Sequence, residues 1–524
     1  MDVPADAAPR ADAPPPHDGA PRLIAPASLS GTTSRRPSFR WQLPLDQETA
    51  HLELCADRAC ARVIESVDAS GSMGTPTRDL PTGVVFWRVR AATGAAVSAT
   101  WELFVSRATT MGTATASGPV FDANGDGFAD VAIGGDDMSG DVFVFHGGRS
   151  GLWPGSTVPG GSGGMGSIAA GTDVNGDGYG DLVIGTRDGR ARVHLGSAAG
   201  IVPTPAITLA SPIADGAFPS FGIPVAALGD LDGDGYGDIA VGDPMLGGSR
   251  VGAVYVYLGG EHGIGAMPDI TLGGGGSHGM GFGWALSGAG DVDLDGRADL
   301  VEGGWGFVPW TPSALPYAGT VSIFTGDPGG VSAIARASWS ETAGIMGDIP
   351  GDFGFAVAGA GDLDGDGFAE IAVNGSADGV WQAPVYVYRG SASGPDIAHP
   401  MRVPAPPTTP NFGFSLSGAH DVNGDGYPDL AIGSLTSAFL LLGGPGGVDG
   451  ATAMQLRGTA TTSDLLIVSV GDVDGDGYGD LVTGSPEGVQ ASLIRGGAVV
   501  AEPIPIDAPG VVHDYGSAIS RLPG

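Results

Sequence analysis

Apolar residues fall in short bursts bounded by glycine and polar turns, a pattern that predicts β-structure with many tight connections. Between residues 22 and 107 the predicted strands are Phe39-Arg40-Trp41, His51-Leu52-Glu53-Leu54-Cys55, Val84-Val85-Phe86-Trp87-Arg88-Val89-Arg90 and Thr100-Trp101-Glu102-Leu103-Phe104-Val105. Polar turns between them suit a small antiparallel sandwich. From residue 111 onward a longer unit recurs. One strand runs into an acidic loop and a second leaves it, as in Asp238-Ile239-Ala240-Val241-Gly242. A third strand follows (Gly252-Ala253-Val254-Tyr255-Val256-Tyr257-Leu258), then a short fourth (Ile270-Thr271-Leu272). Four antiparallel strands, apolar on both faces, make a sheet that must pack between two neighbours, which is the geometry of a propeller blade.

The acidic loop is the strongest signal. Its pattern is D-x-[DN]-x-D-G-x-x-[DE], present at 122–130, 173–181, 230–238, 291–299, 362–370, 421–429 and 472–480, in steps of 51, 57, 61, 71, 59 and 51 residues. That spacing fits four strands with their loops and is too irregular for a helical solenoid. Three or four carboxylates within nine residues repel one another unless a cation neutralises them. Calcium suits the spacing, because oxygens at positions 1, 3 and 5 converge inside a tight loop. Those are Asp122, Asn124 and Asp126; Asp173, Asn175 and Asp177; Asp230, Asp232 and Asp234; Asp291, Asp293 and Asp295; Asp362, Asp364 and Asp366; Asp421, Asn423 and Asp425; and Asp472, Asp474 and Asp476. Position 7 offers a backbone carbonyl (Phe128, Tyr179, Tyr236, Arg297, Phe368, Tyr427, Tyr478). Position 9 closes the shell with Asp130, Asp181, Asp238, Asp299, Glu370, Asp429 or Asp480. Position 6 is glycine in every copy, where the loop must turn sharply. Magnesium fits less well, since it demands a tighter octahedron and gives up water reluctantly. An EF-hand needs a Glu at position 12 and flanking helices, and six of the seven copies lack that Glu. Acidic turns without metal would explain one copy, but not seven in one register.

Charge sharpens this reading. The chain has no lysine; residues 1–110 hold 11 Arg against 12 acids, and residues 111–524 hold 12 against 46. The seven nonapeptides contain 25 of those 46 acids, so the acidity is concentrated in the loops. Such a segment repels nucleic acid and anionic lipid and favours cations. No apolar run is long enough to span a membrane as a helix. Residues 1–21, rich in Pro, Ala and Asp, read as a disordered tether. They lack the apolar core of a signal peptide, so the expectation is that export uses another route or a different start. Cys55 and Cys60, the only cysteines, are spaced for a small hairpin disulfide and poorly for zinc; a reduced pair is the alternative.

Phe-Gly stands nine residues before the first Asp in four copies, at Phe221-Gly222, Phe282-Gly283, Phe353-Gly354 and Phe412-Gly413. With the loop that follows, residues 111–524 resemble the FG-GAP repeats of the integrin α-subunit head. The resemblance implies an all-β, seven-bladed β-propeller whose loops join the first two strands of each blade and bind about seven structural calcium ions on one face. Residues 22–107, with Trp41 and the stretch FWRVRA, resemble a fibronectin type III domain. Three copies depart from the pattern by lacking Phe-Gly, copy four has Leu294 for glycine, and copy five ends in Glu370. Tyr515–Ile519 looks like one more first strand and is expected to seal the ring, since an open propeller leaves raw sheet edges.

Two motifs are discounted. Asp68-Ala-Ser-Gly-Ser-Met73 matches a von Willebrand A-type metal motif, but too little chain remains there for that domain. Gly160–Gly164 matches GxSxG without the strand and helix a nucleophile elbow needs. His194, His262, His278, His399 and His420 could line a lyase-like cleft, but no catalytic arrangement stands apart from the loops. The expectation is a non-enzymatic, monomeric protein at the cell surface or outside the cell, adhering to a protein or glycan through calcium-dependent structure. Lectin-like, polysaccharide-processing and purely structural envelope roles are the alternatives. Trp305, Trp310 and Tyr317, in the longest insertion, are the candidate ligand anchors, with packing between blades as the alternative.

Overall fold

The computed structural model describes residues 20–25, 30–32, 34–44, 47–92, 96–105, 116–117, 120–135, 140–160, 165–213, 220–245, 252–273, 281–305, 319–341, 353–375, 383–407, 409–435, 437–448, 453–456, 466–484, 491–498, 500–506 and 515–519. The fold is all-β, with no helix among these residues, and so none long and apolar enough to cross a membrane.

The N-terminal part has nine strands: β1 (Arg22–Ala25), β2 (Ser30–Thr32), β3 (Phe39–Gln42), β4 (Thr49–Cys55), β5 (Val63–Ser70), β6 (Met73–Gly74), β7 (Gly83–Ala91), β8 (Trp101–Val105) and β9 (Ala116–Ser117). They form a three-stranded sheet ordered β1-β3-β6 and a six-stranded sheet ordered β5-β4-β7-β8-β2-β9. Strand β4 alternates as a half-buried strand should, with Ala50, Leu52 and Leu54 inside. Between the sheets Phe39 meets Trp87 at 4.8 Å and Trp87 meets Trp101 at 5.7 Å, both edge-on. Cys55 and Cys60 are disulfide-bonded and close the turn after β4. The Asp68–Met73 stretch is structural: the Gly71 and Ser72 carbonyls accept the indole and backbone N–H of Trp41.

Among the described residues the repeated part forms seven four-stranded antiparallel sheets. The third is typical: Val225–Gly229, Asp238–Asp243, Ala253–Tyr257 and Ile270–Gly273 pair in chain order. Its second and third strands are buried at every residue, whereas the outermost alternates. That gradient is what a sheet packed between neighbours on both faces requires. Seven apolar clusters lie between consecutive sheets; in one, Val131 and Ile133 of the first sheet pack with Val468, Val482 and Leu493 of the last. The first sheet is completed from the far end of the chain, where Tyr515–Ile519 pairs with Val131–Gly135.

The Phe-Gly pairs explain themselves in this setting. Phe221, Phe282, Phe353 and Phe412 are buried at the start of the inner strands. After them the chain turns through a left-handed residue; at Gly222 (φ 87°) a Cβ would lie 2.3 Å from the Arg190 carbonyl oxygen.

Candidate metal centre

Each nonapeptide is wound around its first and last acids. In copy three, Asp230 Oδ1 accepts the Gly233 and Asp234 N–H groups at 2.8 and 3.0 Å, and Oδ2 accepts Gly235 N–H at 2.8 Å. Glycine at position 6 has positive φ in all seven copies, between 88° and 105°. Position 9 latches the loop to the sheet: Asp238 Oδ2 accepts Leu231 N–H and Oδ1 accepts Gly259 N–H beyond the third strand. The same two bonds hold Asp130, Asp181, Asp299, Asp429 and Asp480. Copy five differs. Glu370 Oε2 accepts Leu363 N–H, while Oε1, buried, has no hydrogen-bond partner among the described residues.

The loops are also joined to one another. The position-8 N–H donates to the position-1 carbonyl of the preceding copy in six cases, among them Gly180 to Asp122, Ala369 to Asp291 and, from first copy to last, Ala129 to Asp472. The missing bond is between copies six and five, where position 8 is Pro428 and has no N–H to give. A second set of bonds, from the turn after the third strand to the preceding loop, spans that junction through Gly444 N–H and the Leu363 carbonyl.

Burial and like charge oppose ionisation of these acids. Burial, then Asp234 and Asp232, pushes Asp230 up to about 8. Burial, then Asp364 and Asp362, pushes Glu370 up to about 9. Burial also raises Asp429 and Asp480 to about 8 and Asp291, Asp362 and Asp472 to about 6. Three carboxylate oxygens lie within 4.8 Å of one another in four loops: Asp230, Asp232 and Asp234; Asp291, Asp293 and Asp295; Asp362, Asp364 and Glu370; and Asp472, Asp474 and Asp480. In copies one, two and six the Asn at position 3 instead donates to the Asp at position 5. The donor set is oxygen only, compact and short of positive charge, which fits a hard divalent cation. Asp362 Oδ1 and Glu370 Oε1, buried without a hydrogen bond of ordinary geometry, mark where such an ion would be met.

The sandwich sits on these loops, a contact that no sequence motif announces. Arg58 reaches between copies one and two, donating to the Gly125 carbonyl at 2.9 Å and the Gly178 carbonyl at 2.6 Å while lying over the Tyr179 ring. The Trp101 indole N–H donates to the Gly176 carbonyl, Arg22 lies over the Tyr236 ring, and Arg40 reaches the Gly296 carbonyl at 3.4 Å. Phe104 enters the apolar cluster shared by the first and last sheets and meets the His420 ring edge-on at 6.1 Å. Glu102, 4 % exposed, is held by Arg58 beside Asp122.

The histidines do not converge. His194 is buried against the Val202 carbonyl, His420 under the sandwich, and His262 and His399 are exposed; His278 lies outside the described residues. Trp305 is half-buried and packs on Trp284 at 4.7 Å and Phe355 at 5.9 Å, while Trp310 and Tyr317 lie outside the described residues. Gly160–Gly164 and the tether also fall largely outside them.

Comparison with known proteins agrees with this geometry. A model of the FG-GAP-like repeat matches residues 122–184 and 173–241, and one of the FG-GAP repeat matches 412–448 and 466–499. The chain is 35% identical over 219 residues to integrin alpha-PS2 of Drosophila melanogaster, covering 40% of this chain and 15% of that protein. It is 34% identical over 215 residues to integrin alpha-V of Gallus gallus, covering 40% and 19%. The chain thus spans less than a fifth of the length of these relatives. Among solved structures, Saccharomyces cerevisiae Sqt1 aligns over 81% of this chain and 94% of its own with a TM-score of 0.40 and 12% identity, too loose a likeness to carry an argument. The chain carries FG-GAP repeats on a β-propeller type of fold, similar to those of integrin α chains.

Proposed function

We propose that this chain is a calcium-dependent adhesion or recognition protein displayed outside the cell. It is a seven-bladed ring (111–524) stapled by cations in its loops and preceded by a fibronectin-like sandwich (22–107). The observation that carries the reading is the set of seven loops in one register, in four of which three carboxylates converge with too little positive charge to balance them. Calcium would be held by the oxygens of positions 1, 3, 5 and 9 and the carbonyl of position 7, supplying the missing charge. Ring closure is supported by the pairing of Tyr515–Ile519 with the first sheet and by the Ala129–Asp472 bond. Display outside the cell is supported by the Cys55–Cys60 disulfide, a bond that persists in oxidising compartments, and by the similarity to integrin α chains.

With the sandwich on the loop face, the ligand surface is the opposite end of the sheets. There Trp284, Trp305, Phe355 and Phe414 form a half-buried aromatic row with ring spacings of 4.7 to 5.9 Å. Aromatic anchors of this kind dominate recognition of proteins and glycans. The test is a screen of immobilised chain against extracellular proteins and polysaccharides, with calcium and with chelator. Capture that is lost in chelator and weakened by Trp284→Ala is expected. Capture indifferent to chelator would refute calcium dependence, and polysaccharide cleavage would replace recognition with catalysis.

A further inference from the structure

Three arginines of the sandwich address the loops individually: Arg58 copies one and two, Arg22 copy three and Arg40 copy four. Where they touch decides what they can sense. A guanidinium bonded to a loop carboxylate would compete with a cation for it, as Arg389 does by pairing with Asp364 at 3.3 Å and Arg495 by pairing with Asp474 at 3.2 Å. Arg58, Arg22 and Arg40 are bonded instead to backbone carbonyls or stacked on position-7 rings, among the described contacts. Those groups stand on the outside of the loop and take their positions only when the loop is wound. Among the described bonds these arginines take no loop carboxylate, so the contact depends on the shape an ion would impose without competing for its ligands.

The fit at the loop glycines makes the dependence strict. A Cβ at Gly178 would lie 2.6 Å from the Thr100 carbonyl oxygen, and one at Gly235 would lie 2.4 Å from that of Leu23. The sandwich backbone therefore rests directly on the wound loops, with no space to absorb a change in their course. Charge points the same way. Docking buries Glu102 of β8 beside Asp122, and Arg58 at 3.3 Å from Glu102 is its one ion-pair partner among the described residues. An ion in loop one would remove the repulsion that docking creates there.

We propose that the sandwich is held on the loop face by a cation-dependent clamp. Arg58, with Arg22 and Arg40, docks it onto loops one to four when these are wound around their ions, and docking tightens those same sites. The two halves of the statement are one coupling free energy and so must occur together. The inference rests on the cation reading of the loops. Its consequence is a molecule whose two parts are rigidly joined in calcium and flexibly joined without it, so that the ligand face is aimed only where the ion is abundant.

The experiment uses the full chain. Calcium titration of wild type against a chromophoric chelator gives the number and affinity of sites, and small-angle scattering gives the separation of the two parts. In calcium, wild type should scatter as one compact body, and withdrawal of calcium should increase its radius of gyration before the sheets unfold by circular dichroism. Arg58→Met should expand the molecule in calcium and weaken the docked sites of loops one to four, those of loops one and two by about tenfold, within the usual range of such couplings, leaving loops five to seven unchanged. Arg22→Met should weaken chiefly the site of loop three and serves if Arg58→Met folds poorly. A sandwich that detaches in Arg58→Met while every site keeps its affinity within about twofold would overturn the clamp, as would wild-type scattering indifferent to calcium. Absence of bound calcium in wild type would overturn the loop reading itself, and the clamp with it.

Discussion

Loops one and five are built from the same nonapeptide and have different surroundings. Loop one lies under the sandwich, with Arg58 on the Gly125 carbonyl, Phe86 against Gly127 and Glu102 beside Asp122. Loop five has none of these among the described contacts. Arg389 pairs with its Asp364, and Asp362 and Glu370 each keep a buried oxygen without a hydrogen bond of ordinary geometry among the described residues. One motif thus serves two purposes, a docking platform where the sandwich covers it and a plain staple between sheets where it does not. The motif fixes the winding of the loop; the surroundings decide what the winding is used for.

The largest test of that contrast is Phe104→Ala. If the sandwich is an integral part of the loop face, removing this ring from the core shared by the first and last sheets should destabilise the chain by about 3–5 kcal/mol in denaturant unfolding. Ile397→Ala, exposed on the uncovered side, should stay within about 0.5 kcal/mol. Equal small effects would mean that the sandwich merely rests there.

Next in size is the response to pH in chelator. Asp362, Asp472 and Asp291 stand near 6, Asp230, Asp429 and Asp480 near 8 and Glu370 near 9, all above the ordinary value of about 4 for an unfolded chain. The metal-free fold therefore binds protons more tightly than the unfolded chain does. The resulting stabilisation is complete below about pH 4 and is withdrawn as the pH rises through 6 to 9. The melting temperature in chelator should fall across that range, and calcium should remove most of the fall. A metal-free melting curve that rises with pH there would contradict the burial of these acids.

Asp122→Asn and Asp421→Asn separate the two uses of the loop. Each should lose one bound calcium and about 2–3 kcal/mol at saturating calcium, but only Asp122→Asn should loosen the sandwich in scattering. Smallest is Arg389→Met. Freed of its competitor, loop five should bind calcium severalfold more tightly in titration, the opposite of the change expected at loops one and two for Arg58→Met. Weaker binding would show that Arg389 organises the loop instead of competing for it.

Much of this was legible in the chain. The nonapeptides are identified by their register, because loops wound on one acid with a glycine at position 6 tolerate little variation. Tyr515–Ile519 was legible because it repeats the sequence of an inner strand, and the structure pairs it with the first sheet. The docking was not. Arg58, Trp101 and Phe104 read as ordinary sandwich residues, since nothing local distinguishes an arginine facing solvent from one facing a carbonyl 67 positions away. Pro428 reads as a turn residue, and only the contact between copies shows that it deletes one bond of a repeating set. Trp305, a candidate anchor with packing as the alternative, is a packing residue as much as a surface one, because its aromatic neighbours Trp284 and Phe355 stand just ahead of two inner strands.

Whether the loops are cation sites whose ions hold the fold is tested by the calcium bound per chain after exhaustive dialysis, together with thermal unfolding in calcium and in chelator. About seven ions are expected, one for each nonapeptide, with a large fall in melting temperature when they are removed, as mass action requires of ligands that bind only the folded state. A chain that holds no calcium and melts identically in both conditions would reduce the nonapeptides to acidic turns.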